Sequence, residues 1–406
     1  MPVWTVTGCR MRIGIAGAGI GGLAAAALLA RDGHKVTLFD QFEAPRPVGS
    51  GLVIQPVGME VLDQLGAGDA ARGLGAPLEA LHGEEADSGR VVLSVGYGAR
   101  RGFGIHRAAL FHVLYQAALS AGAELRAGHK VTGRDRAYLA FGDQRDGPFD
   151  LIVDACGAGS QLSPLVSRAL PYGAVWSTVP WPASTPLPAH RLTQCYRRAD
   201  RMLGVLPVGA MPDAPGRPLA AIFYSLARRD HAAWRAAAFE TWTADTHALW
   251  PEFTPFLETL CGHDDFTYAS YTHGSLARPY GEGIAHIGDA AHRASPQLGQ
   301  GANMALLDAR ALHLALRQAQ GDDALRLYAG ARRWHIAAYQ AMSAAFTPQY
   351  QSDSRALPLL RDHLLAPLSR LWPIPRILTR LVCGDLLPPM PALTPRPRER
   401  SRARAR

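Results

Sequence analysis

The run Arg12-Ile-Gly-Ile-Ala16 leads at once into Gly17-Ala-Gly19-Ile-Gly21-Gly22, and no other part of the chain narrows the fold as far. A short apolar run of this kind reads as a parallel strand buried on both faces. From Leu23 to Arg31 leucines and alanines favour helix, and Gly33 supplies its stop. Lys35-Val-Thr-Leu-Phe39 reads as a second strand with Asp40 at its carboxyl end, about 20 residues beyond the first glycine, the spacing of a dinucleotide site. In that setting Gly17 permits the tight turn, Gly19 lets backbone N–H groups approach a pyrophosphate, and Gly22 lets the helix pack on the sheet. Asp40 then accepts hydrogen bonds from a ribose. Whether the dinucleotide is NAD or FAD stays open at this point.

Several other chemistries are excluded by inspection. The only two lysines, Lys35 and Lys130, are each followed by Val, so there is no phosphate-binding G-K-[ST] loop. No Ser has glycine two residues before and two after, and no His precedes Glu, which removes the esterase elbow and the zinc-protease helix. Cys9, Cys156, Cys195, Cys261 and Cys383 are scattered and never C-x-x-C, which argues against a disulfide framework or metal ribbon and suits a reducing, cytoplasmic setting. The apolar run from Ile13 to Ala30 carries five glycines and leads into a strand, so it is read as fold rather than as a signal sequence. Of the formal charge of +8, five units lie in residues 391–406, where six Arg face one Glu. A Pro- and Arg-rich segment like this is expected to be a disordered, solvated tail rather than a nucleic-acid site.

The choice of cofactor comes from far down the chain, where Gly288-Asp289-Ala-Ala-His292 runs through Pro296 into Gly299-Gln-Gly301-Ala-Asn303. Met304, Leu307, Ala311 and Leu314 then follow at helical spacing. A second helix N-terminus suits a flavin ring, whose reduced form carries negative charge that such a terminus stabilises. Asp289 is placed to take ribityl hydroxyls.

At these residues the sequence resembles the single-component FAD-dependent aromatic hydroxylases, the fold family of p-hydroxybenzoate hydroxylase. The likeness runs from Arg12 to about residue 387. Ile105-His106-Arg107 is similar to the family's flavin-contacting arginine at a helix start, and Gly49-Ser-Gly51 to its turn after the second strand. The stretch 349–365 is similar to the branch of ubiquinone-ring hydroxylases. The resemblance implies an α/β architecture: a Rossmann-type FAD-binding domain with a parallel sheet (11–75, 101–171 and 276–345), an interrupted mixed or antiparallel substrate domain (76–100 and 172–275), and C-terminal helices (346–390). It implies FAD at Gly17, Gly19, Gly22, Asp40, Arg107, Asp289, Gly299, Gly301 and Asn303, with NAD(P)H as co-substrate and no metal. The reaction implied is hydroxylation of an aromatic or quinol-like molecule by O2 through a flavin C4a-hydroperoxide, in a pocket that excludes water.

One departure stands out. Asp154-Ala-Cys156-Gly157-Ala-Gly159-Ser160 puts cysteine where the family carries aspartate, in a segment associated with FAD and NAD(P)H. A flavin oxidase or reductase without oxygen insertion is therefore the alternative. Cys156 itself reads as a small packing residue, since nothing nearby in sequence would lower its pKa.

For the substrate, Tyr224 on the strand 219–226, Gln55 and Pro296 are the candidates, Tyr224 to orient a phenol and Pro296 to line the ring by shape. His190, Tyr196 and His273 are weaker ones, and His292 reads as structural or a flavin neighbour. One helix is expected from about Asp230 to Leu249. Leu364, Leu365, Leu368, Leu371 and Trp372 fall near one helical face, with Arg361 and Arg370 outside it. Core packing is the expected use of that face, and a peripheral membrane contact the alternative. Oligomeric state is not readable.

Overall fold

Strand Arg12–Ala16 lies inside a six-stranded sheet ordered Tyr280–Gly281, Ile284–His286, Leu151–Asp154, Arg12–Ala16, Lys35–Phe39, Glu124–Arg126 in the computed structural model, which describes residues 10–43 and 50–393. Gly49, Cys9 and the Arg-rich residues 394–406 lie outside the described residues. All neighbours in this sheet are parallel except the short edge hairpin at Tyr280–Gly281. Alternation along the strand divides its side chains between two cores. Ile13 and Ile15 join the larger, beneath helices Ile20–Arg31, Arg107–Ser120 and Gly301–Leu316, where Ala24 to Ala27 are wholly buried and let the helices approach. Ala16 points to the other face, where Phe39, Phe141 and Phe149 of a smaller cluster pack.

The second sheet has eight strands, ordered His292–Arg293, Thr267–Ser275, Arg168–Pro180, Ala214–Ala227, Arg201–Met211, Arg191–Arg197, Ala80–Glu85, Val91–Gly96. All its pairings are antiparallel except Arg191–Arg197 with Ala80–Glu85. One face is covered by Trp242, Trp250, Phe253 and Phe256. Against the other packs a three-stranded sheet of Gly51–Ile54, Gly102–His106 and Ala76–Leu78. The contact is close: a Cβ added to Gly51 would sit 2.6 Å from Ala221 Cβ, and one added to Gly104 would sit 2.0 Å from the Pro207 carbonyl. Helices Gly321–Tyr350, Ala356–Leu360 and Ile374–Cys383 complete the chain, and no helix among the described residues is long and apolar enough to cross a membrane.

The parallel sheet with covering helices, the second mostly antiparallel sheet and the C-terminal helices form the α/β architecture expected from sequence. Three details differ. His292–Arg293, inside the segment assigned to the flavin unit, pairs with Thr267–Ser275 and so belongs to the second sheet. The helix expected over 230–249 is broken into His231–Ala236 and Phe239–Leu249, because Ala237 is extended and its carbonyl is engaged by His263 Nε2 at 3.1 Å. The amphipathic face is inverted relative to core packing. Arg361 is the buried residue, its guanidinium about 5 Å from the rings of Tyr196 and Tyr350 and bonded to the carbonyls of Arg198 and Gln349. Two rings and two carbonyls offer the cation a site, and Leu364, Leu368, Leu371 and Trp372 are left exposed.

Gly104→Ala is expected to lower unfolding stability by about 2–3 kcal/mol by overpacking the junction of the two sheets. Urea denaturation, with Gly216→Ala in open space as the control, measures it.

Candidate functional site

The glycine turn is shaped by contact at two of its positions and left open at a third. Gly17 has φ of +100°, and a Cβ there would lie 2.5 Å from the Ala155 carbonyl. A Cβ on Gly22 would lie 1.9 Å from the Gly17 carbonyl, so helix and strand meet backbone to backbone. At Gly19 an added Cβ meets nothing within 4 Å. Asp40 holds the turn from the next strand, accepting from Ala18 N–H at 2.8 Å and Phe42 N–H at 3.0 Å. A carboxylate has about four acceptor positions, so lone pairs remain for a ribose hydroxyl.

The opposite wall is built on a buried carboxylate. Asp308 accepts from Gly288 N–H at 2.9 Å, from His292 Nε2 at 2.6 Å and from Arg332 Nε at 2.8 Å, with no solvent exposure. Burial alone would raise its pKa, but His292 and Arg332 outweigh burial and hold it down to about 2. Arg332 also donates to His335 Nδ1 at 3.1 Å, and His335 Nε2 donates to the Gly384 carbonyl at 2.8 Å. Burial and the adjacent guanidinium lower the His335 pKa to about 3, so that imidazole is neutral. Beyond the Gly288 turn, Gly299 adopts the left-handed conformation, and helix Gly301–Leu316 starts with no side-chain cap and open space at Gly301. Its first N–H groups are free for an anionic or carbonyl ligand.

Between these walls Arg107 and Asp289 both have open surface. Both are nevertheless desolvated by surrounding protein, which lowers the Arg107 pKa against the pull of Asp289 and raises that of Asp289 against His292, Arg107 and Arg293. Exposed atoms with desolvated charge belong to the wall of a deep cleft rather than to convex surface. Gln55, almost wholly buried, has an Oε1 with no protein partner, and its Nε2 would lie 3.3 Å from a Cβ on Gly299. Open glycine backbone, an uncapped helix start, an Arg–Asp pair and an orphaned amide oxygen together fit a flavin dinucleotide.

The other sequence candidates fall in different places. Asn303 has its side chain fully used inside the protein: Oδ1 accepts from Gln55 N–H at 2.8 Å, while Nδ2 donates to the carbonyls of Val53 and Gly299, each at 3.0 Å. Its side chain fastens the Gly299 turn to strand Gly51–Ile54. Tyr224 falls elsewhere. It lies on the outer face of the second sheet with its ring 5.6 Å from Trp242, because it alternates with Ala221 and Phe223, which take the inner face. Tyr196 is buried and donates to Gln194 Oε1 at 2.9 Å, and His190 is exposed near Glu79. Pro296 is exposed at the start of the turn Pro296–Leu298, and His273 is half-buried with Nε2 unpaired. Cys156 is half-buried and packs against the small apolar cluster that contains Ala16, Phe39 and Ile152. Burial and Asp154 push its thiol up, so it stays protonated. Asp154 is occupied by Cys156 N–H, Ser160 Oγ and His286.

The inner face carries residues that sequence reading passed over. Trp176 pairs with Phe223, ring centroids 4.5 Å apart, and donates from Nε1 to Tyr271 Oη at 3.0 Å. Burial pushes the Tyr271 phenol up to about 12, so it keeps its proton to donate. The available signal for Asp308 was a charge four residues after Met304, on the apolar face of a helix.

A glycine-turn cleft closed by a second helix start defines a dinucleotide-binding flavoprotein of the aromatic hydroxylase fold. The model of the FAD binding domain family matches residues 10–139 and 262–343, over half of the chain, and the protein belongs to that family. It is 27% identical over 371 residues to a probable 2-heptyl-3-hydroxy-4(1H)-quinolone synthase of Rhodococcus erythropolis, covering 88% of this chain and 91% of the relative. It is 28% identical over 367 residues to 6-hydroxynicotinate 3-monooxygenase of Bordetella bronchiseptica, covering 82% and 91%. Among solved structures, 2-methyl-3-hydroxypyridine-5-carboxylic acid oxygenase superposes with a TM-score of 0.75 at 20% identity, covering 92% of this chain and 97% of that one.

Asp308→Asn leaves buried Arg332 without its counter-charge and is expected to cost about 3–5 kcal/mol of stability at neutral pH. Because the folded pKa lies below the ordinary carboxylate value, the wild-type contribution is complete above about pH 4 and lost as pH falls toward 2. Denaturation across pH 2–7 should show that loss in the wild type and less of it in the variant.

Proposed function

We propose that this protein is an FAD-dependent monooxygenase that uses NAD(P)H and O2 to hydroxylate a small aromatic ring. The observation that carries the reading is the aromatic inner face of Trp176, Phe223 and Tyr271, on the same side of the second sheet as the strand that Asn303 ties to the flavin cleft. When bound, the flavin supplies hydride acceptance and oxygen activation. The chain supplies the rest. The backbone from Gly17 to Gly22 would hold the pyrophosphate and the N-terminus of helix Gly301–Leu316 the electron-rich edge of the ring, with Arg107, Asp289 and Asp40 available to the remaining polar groups. Pro296 limits the space beside the ring by its shape. Trp176 and Phe223 keep water from the reacting atoms. Tyr271, its oxygen fixed by Trp176, directs a proton to a substrate oxygen or nitrogen and orients the ring. The cysteines among the described residues are unpaired, in keeping with work in a reducing, cytoplasmic setting.

Cys156 in place of the family aspartate favours one other reading, a flavin oxidase or reductase on the same fold. Turnover under ¹⁸O₂ with hydroxylated benzoates, pyridines and quinolones separates the two. The oxygenase reading predicts one labelled oxygen in the product ring; consumption of NAD(P)H with peroxide and an unlabelled ring would establish the other. Tyr271→Phe is expected to lower kcat/KM about tenfold, the loss of one oriented hydrogen bond. Tyr224→Phe, on the outer face, should leave it within about twofold.

A further inference from the structure

The C-terminal segment presents an apolar stripe to solvent. Leu359, Leu360, Leu364, Leu368, Leu371 and Trp372 are all exposed, Trp372 at 77%. One exposed leucine needs no account, but six large apolar side chains on one short segment mark a contact surface. Exposed Arg355, Arg370, Arg376 and Arg380 flank the stripe, and between residues 354 and 384 the one carboxylate, Asp362, is bonded to Arg361 at 2.6 Å. Beside it, Arg90, His363 and Arg370 line a cavity of about 260 Å³, with Asp362 on its wall. Arg90 Nη1 lies 2.9 Å from His363 Nδ1, and Arg370 Nη2 donates to the Val91 carbonyl at 3.2 Å, so neither guanidinium meets a carboxylate there.

We propose that this face docks on an anionic phospholipid surface. Leucines and Trp372 enter the boundary between headgroups and acyl chains, the arginines extend their heads to the phosphates, and the Arg90–Arg370 cavity takes one headgroup phosphate. Residues 394–406 carry six Arg and one Glu, so the deletion below separates their attraction from that of this face. A second copy fits the stripe less well, because a twofold contact would set these arginines against one another without carboxylates. The proposal does not rest on the oxygenase reading.

The test is co-sedimentation of the full-length flavin-loaded protein with vesicles of phosphatidylcholine alone or mixed equally with phosphatidylglycerol. Binding to the mixed vesicles is expected, falling as salt rises. The double variant Leu368→Ser/Trp372→Ser should reduce partitioning about tenfold or more, from lost apolar insertion, with flavin content and thermal melting unchanged. Arg90→Gln/Arg370→Gln should reduce the preference for phosphatidylglycerol. Absence of vesicle binding overturns the proposal, as does binding that survives the Leu368/Trp372 exchange and disappears only on deleting 394–406. Self-association in place of vesicle binding, lost in the same double variant, would assign the face to a second copy instead.

Discussion

Asp308 is a charge in the core on which one whole wall of the candidate cofactor cleft depends. Placing a carboxylate where no water reaches it is unfavourable unless its lone pairs are filled, and here Gly288 N–H, His292 and Arg332 fill them. Gly288 opens the turn that presents Asp289, and Asp308 belongs to the helix whose first turn faces the same cleft. One buried group thus fixes the distance between a polar side chain and a helix terminus. Arg332 passes the constraint outward through the Pro389 carbonyl and His335, so the C-terminal segment is fastened to the same centre.

Asn303 does for the second sheet what Asp308 does for the first. Its three hydrogen bonds join the Gly299 turn to strand Gly51–Ile54, which lies against Ala221 of the eight-stranded sheet. Under the proposed function, flavin recognition and substrate recognition meet across this short path, and the two halves are made differently. The dinucleotide side relies on backbone groups at glycines, where chemistry demands a particular sequence. The substrate side relies on side chains from a sheet face, where many combinations give a pocket.

What could be read from the sequence follows the same line. The strand–glycine–helix unit, Asp40 and the Gly288-to-Asn303 string were legible because local spacing alone dictates them. The outer position of Tyr224 was not, since alternation separates the two faces of a strand without saying which one meets the cofactor domain. Asn303 and Asp308 sit in apolar helical surroundings, and only the folded neighbours Val53, Gly299, His292 and Arg332 reveal that their polar atoms are spent inward. The leucine stripe near residue 364 has the same periodicity whether it faces core or solvent. Its direction was decided by Arg361, whose partners are the carbonyl of Arg198, 163 residues away, and that of Gln349 at the end of helix Gly321–Tyr350.

The most direct test of the account is anaerobic mixing of the purified yellow protein with NADH and then NADPH, in the presence of candidate aromatics, while following the visible flavin band. The account predicts one noncovalent FAD per chain and bleaching by at least one nicotinamide, faster with a ring in the pocket. A protein that binds no flavin when reconstituted with FAD would contradict it.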